Sequence, residues 1–84
     1  MPASFVAPDA WASPSGRTVT VVHRDGRVER IRLAGCARGR PRAEAWRLYA
    51  ERVRRALAEA GVPPHKADAV LAAVEEARRR DLGA

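Results

Sequence analysis

Eight arginines lie between Arg17 and Arg42, against two acids, Asp25 and Glu29. This window supplies the chain's whole net charge of +6; the other segments cancel. A guanidinium is permanently charged and offers a planar fork of donors that matches phosphate or carboxylate oxygens. Concentrated in a third of the sequence, such groups imply a polyanionic or strongly acidic partner. Only their position carries this information. Arginine outnumbers lysine 15 to 1 beside 18 alanines, a composition typical of a GC-rich bacterial genome.

Other reactive side chains are sparse. His23 and His65 are far apart, and Cys36 is the sole cysteine. They make no zinc-ligand spacing and no nucleophile–base pattern. No glycine-rich phosphate loop is present. The expectation is a protein that is not an enzyme and needs no cofactor. A lone cysteine forms no internal disulfide, which suits a reducing cytoplasm. The N-terminus does not read as a secretion signal. No apolar run approaches the ~20 residues of a membrane span.

Arg38-Gly39-Arg40-Pro41 resembles the core of the AT-hook, a minor-groove DNA-binding motif. That resemblance covers four residues. It implies that Arg38 and Arg40 extend along a narrow groove while Gly39 lets the backbone approach its floor. The alternative is a glycine-containing turn ahead of Pro41, which can open a helix.

The elements around these arginines follow from periodicity. Residues 1–16 hold Pro2, Pro8, Pro14 and Gly16 and read as an irregular arm, although Phe5, Val6 and Trp11 suggest that part of it packs. The body, residues 17–84, reads as one domain. Residues 17–34 form a hairpin around Asp25-Gly26. A two-residue turn mixes apolar and charged residues on each face. A three-residue Arg24-Asp25-Gly26 turn pairs Val19 with Ile31 and Val21 with Glu29. The second register gathers Val19, Val21, Ile31 and Leu33 on one face and Thr18, Thr20, Arg30 and Arg32 on the other, so burial selects it.

Residues 35–41 read as a connector. Trp46, Tyr49, Ala50, Val53, Leu57 and Ala60 share one stripe of a helix over 42–60, ended by Gly61. Pro63-Pro64 open a second helix over 64–81 with Ala67, Val70, Leu71, Val74 and Ala77 on its apolar side. Ala60-Gly61-Val62 is similar to the centre of a helix-turn-helix. Bulky Leu57 and the stiff Pro63-Pro64 pair favour an ordinary helical hairpin instead. Arg78, Arg79 and Arg80 lie at a helix C-terminus, where they complement the dipole and meet Glu75 and Glu76. The expected fold is α+β: an arm, then a two-stranded antiparallel hairpin packed on an antiparallel helical pair.

Two functions fit. In the first, a small basic protein contacts DNA phosphates, and a minor groove, through Arg24, Arg27, Arg30, Arg32, Arg38, Gly39, Arg40 and Arg42. In the second, a non-enzymatic adaptor binds an acidic protein or forms a homodimer, anchored by Trp11, Trp46 and Tyr49, since aromatics dominate interface hot spots.

Overall fold

The computed structural model describes residues 6–83. Its first element departs from expectation. Within the segment read as an irregular arm, β1 (Asp9–Ala12) pairs antiparallel with β2 (Thr18–Val22). The hairpin partner of β2 is β3 (Val28–Arg32). The sheet therefore has three strands, in the order β1-β2-β3, not two. Asp-Ala-Trp-Ala has little intrinsic strand preference. β1 exists because it completes the ladder on the free side of β2 and because Ala10 and Ala12 are small enough to pack beneath a helix. Phe5 lies outside the described residues.

The β2–β3 register is the three-residue solution. Val19 faces Ile31 and Val21 faces Glu29. His23 N–H donates to Arg27 O (2.8 Å) and Gly26 N–H to His23 O (2.9 Å), closing the turn. Gly26 sits at φ +90°, a conformation glycine takes without Cβ strain. The β1–β2 turn is held by Ser13 N–H to Thr18 O and Gly16 N–H to Ser13 O, both 2.8 Å.

β3 ends at Arg32, so Leu33, expected on the strand's apolar face, instead opens a short helix, α1 (Leu33–Ala37), which continues into the segment expected as a connector. Leu33 and Cys36 are buried there, against the start of the next helix. Two apolar residues spaced i, i+3 make one turn worthwhile, an interval too short to recognise as periodicity. The helices α2 (Arg42–Ala60) and α3 (Pro64–Asp81) have the expected bounds. Pro41 and Pro63 stand at their N-caps, and Gly61 terminates α2 at φ +78°.

The result is two layers. α2 crosses β2 and β3, and α3 crosses β1. Val19, Val21 and Ile31 face Trp46, Tyr49, Val53 and Leu57, with Val70 and Val74 closing the side. Trp46 and Tyr49 meet edge to face, ring centroids 5.6 Å apart. The helices pack on one face of the sheet; on the other, Trp11, Val28, Arg30 and Arg32 are exposed while Thr20 is buried. Among the described residues no helix is long and apolar enough to cross a membrane.

Candidate functional site

The uncovered face of the sheet is set by strand alternation. Val19 and Val21 point into the core, so Thr18, Thr20 and Val22 point outward. Their partners on β3 are Arg32, Arg30 and Val28, and Trp11 of β1 stands opposite Thr20. One row across the face thus reads Trp11–Thr20–Arg30. Trp11 is 50% exposed and Arg30 is exposed, while Thr20 between them is only 8% exposed. Arg30 and Arg32 take part in no ion pair among the described residues. Asp9, the acidic residue beside Trp11, is bonded to Lys66 Nζ at 2.8 Å, which holds its carboxyl below the usual range. Glu29 points to the opposite side and meets His23 Nε2 at 3.0 Å.

Arg32 also belongs to a second feature at the end of the sheet. A cleft of about 600 Å³ is walled by Arg17, Arg32, Arg40 and Arg42, with Leu33, Ala34, Ala37 and Ala45 supplying apolar lining. Asp81, the last residue of α3, is its carboxylate. Arg17 Nη2 meets Asp81 Oδ1 at 2.6 Å, and Arg42 Nε lies 3.6 Å from Oδ2. Oδ2 also accepts the indole N–H of Trp46 at 2.8 Å. The Trp46 bond, then the Arg42 and Arg17 charges, hold the Asp81 carboxyl below its ordinary value. One buried indole thus orients the carboxylate, and the carboxylate orients two guanidinium groups. Asp81 within the cleft and Glu44 beside Arg40 answer two of the four cations, and the remaining excess leaves the cleft able to bind an external phosphate or carboxylate.

The predicted set divides on this frame. Arg30 and Arg32 share the outer face, and Arg32, Arg40 and Arg42 share the cleft. Arg24 lies elsewhere, over Gly61 at the α2–α3 turn. Arg27 is turned to the imidazole of buried His23, Nη2 to Nδ1 3.2 Å. Arg38 is exposed and makes no ion pair among the described residues. Arg38 and Gly39 occupy a tight turn closed by Arg40 N–H to Ala37 O at 3.0 Å, with Gly39 at φ +69°. This is the turn alternative, and it corrects the extended geometry implied by the AT-hook resemblance. Arg40 is drawn inward, to Cys36 O at 3.3 Å and Glu44 at 3.6 Å.

The aromatic anchors need a further correction. Trp46 and Tyr49 are fully buried core residues, so they offer no partner surface. Tyr49 Oη donates to Gly16 O at 2.9 Å, and burial raises its phenol well above the ordinary value, with Cys36 adding to the shift. Of the three aromatic residues named for partner contact, Trp11 alone is exposed.

Arg17 and Asp81 are cleft residues that no sequence motif marks. Asp81 had a legible signal. A carboxylate at a helix C-terminus opposes the dipole, so its presence beside Arg78-Arg79-Arg80 calls for a cationic or N–H partner from elsewhere. Among the described residues, no three His, Cys, Asp or Glu side chains group as metal ligands.

Comparison with known proteins adds no identity: no family model, curated protein or solved structure matches the chain.

Proposed function

We propose that this chain is a small nucleic-acid-binding protein that grips DNA phosphates along a strip running from the outer face of the sheet into the arginine cleft. The observation that carries this reading is the placement of Arg32. It stands next to Arg30 on the open face and also lines the cleft with Arg17, Arg40 and Arg42. Arg32 thereby links Arg30 on the face to the three other arginines around the cleft, and Thr18 lines the same cleft. The three strands span ~10 Å of backbone, which suits a surface that tracks a nucleic-acid strand or enters a wide groove. The role is non-catalytic, in a reducing cytoplasm suited to the buried thiol of Cys36.

Fluorescence anisotropy with labelled single-stranded and duplex DNA at low and moderate salt tests this. Binding that weakens steeply with salt, and that is lost in Arg30→Ala/Arg32→Ala but kept in Arg78→Ala/Arg79→Ala, is expected. No binding to either DNA form at low salt, with capture of an acidic protein through the same arginines, overturns it in favour of an adaptor.

A further inference from the structure

The strip of arginines explains attraction to phosphate but gives no role to Trp11. An indole left half in water forgoes part of the favourable burial of a large apolar surface. Its position is well defined nonetheless. Trp11 lies on a strand rather than a loop, paired opposite Thr20, with Arg30 one strand further along the same row. The residue between them is short and almost wholly hidden, so neither neighbour is supported by a bulky side chain over the middle strand. The nearest carboxylate on this side, Asp9, is occupied by Lys66. Trp11 borders a shallow groove with Lys66, Ala69 and Ala73 of α3 on its outer edge. Across the sheet face it is followed by Arg30 and Arg32, with exposed Val28 and half-buried Val22 in the adjacent row; the surroundings are cationic and apolar.

A half-exposed aromatic ring on a sheet, with a guanidinium two strands away in the same row, is suited to an unpaired base. The base stacks on the ring while the arginines of β3, on one side of it, hold the phosphates that follow. A duplex presents its phosphates to the same arginines, but its base faces are already stacked within the helix and give Trp11 nothing to cover. We infer that Trp11 is a base-stacking platform and that this face takes single-stranded nucleic acid in preference to duplex. This inference rests on the nucleic-acid reading above and specifies its ligand. Successive nucleotides would run along the row from Trp11 toward Arg30 and on to Arg32, where the cleft begins.

The test compares an unlabelled oligothymidine with a duplex of equal length, using wild type, Trp11→Ala, Trp11→Phe and Arg30→Ala/Arg32→Ala. The expected wild-type result is tighter binding of the single strand with quenching of indole fluorescence. Trp46, the second tryptophan, is fully buried and reports little, so the quench should vanish in Trp11→Phe while most affinity remains. Trp11→Ala should lose about tenfold in single-strand affinity and leave duplex affinity nearly unchanged. If single strand and duplex bind equally and Trp11→Ala changes neither, the stacking role fails while phosphate binding stands. If neither form binds at low salt, the underlying reading fails with it. If instead the wild type self-associates and Trp11→Ala makes it monomeric, a second copy covers the ring and the inference is overturned. Because the ring is exposed, the Ala variant should retain its circular dichroism spectrum, and the Phe variant checks the stacking independently of it.

Discussion

The indole N–H of Trp46 donates to Asp81 across 2.8 Å, joining the first turns of α2 to the last residue of α3. Asp81 uses its other oxygen to hold Arg17 at 2.6 Å. The wholly buried ring thus connects the hydrophobic core to the charged cleft. This arrangement gives one carboxylate both a structural role, toward the indole, and an electrostatic one, toward Arg17 and Arg42.

Asp81→Asn keeps an oxygen acceptor for the indole and removes the negative charge. The native carboxyl titrates below its ordinary value of 3.8. Its stabilising contribution is therefore complete above that value and is lost as pH falls through the lowered native one. Thermal unfolding followed from neutral to acid pH should fall less steeply in the Asn variant. The same substitution makes the cleft more cationic, so affinity for single-stranded DNA at low salt should rise about twofold or more. A loss of affinity would mean that Asp81 is needed to position Arg17 and Arg42 for the ligand.

Tyr49 is the chain's one tyrosine, which makes its ionisation directly visible. Burial, and then Cys36, raises the phenol, so it should stay protonated through the range near pH 10 where an exposed tyrosine ionises. A native pKa above the unfolded one means stability that is present below about pH 10 and declines as pH rises toward the raised native value. Tyrosinate absorbance should therefore appear together with loss of circular dichroism, not before it. Tyr49→Phe removes the bond to Gly16 O and should cost about 1 kcal/mol in denaturant unfolding.

Gly16 and Gly61 both have positive φ, yet their alanine variants should differ. A Cβ on Gly16 would come within 2.4 Å of Ala77 Cβ, with backbone behind it, on top of φ +73°. The cost should be about 3 kcal/mol, from overpacking and from the backbone together. At Gly61 the clash is with the tip of Arg24, which can move. Gly61→Ala should cost only about 1 kcal/mol. Urea midpoints at fixed m-value measure both. Gly16→Ala combined with Ala77→Gly should recover part of the loss, and no recovery would place the strain in the backbone alone.

The salt dependence of binding counts the strip. If Arg17, Arg30, Arg32, Arg40 and Arg42 each neutralise one phosphate, the slope of log affinity against log salt on duplex DNA should be roughly −4 to −5. Arg30→Ala should reduce its magnitude by about 1. Arg24→Ala and Arg27→Ala, whose side chains sit over Gly61 and beside His23, should leave it unchanged. Equal effects from all seven arginines would mean that total charge, not this strip, governs binding.

How much was legible beforehand depended on the distance over which each feature is decided. The β2–β3 register and both long helices were readable because their causes are local. A glycine permits the three-residue turn, a period of two puts Val19, Val21 and Ile31 on one face, and a period of 3.6 lines up Trp46, Tyr49, Val53 and Leu57. Prolines and Gly61 mark the helix ends. The arginine window was also plain in the sequence, and it contains all five strip residues, Arg17, Arg30, Arg32, Arg40 and Arg42.

Only the tertiary structure settled what those residues face. β1 is a strand because β2 offers an open edge and α3 a surface for Ala10 and Ala12, not because its four residues favour extension. Arg24 lies over Gly61 and Arg27 turns to His23, both away from the strip, and Arg17 and Arg42 are ordered by a carboxylate far along the chain. Trp46 and Trp11 are the same residue with opposite fates: one lies under the sheet and the other on its open side. Strand and helix periods are local, so sequence alone determined them. Burial and ion pairing are decided by neighbours brought from tens of residues away, so they exist only once the layers have packed.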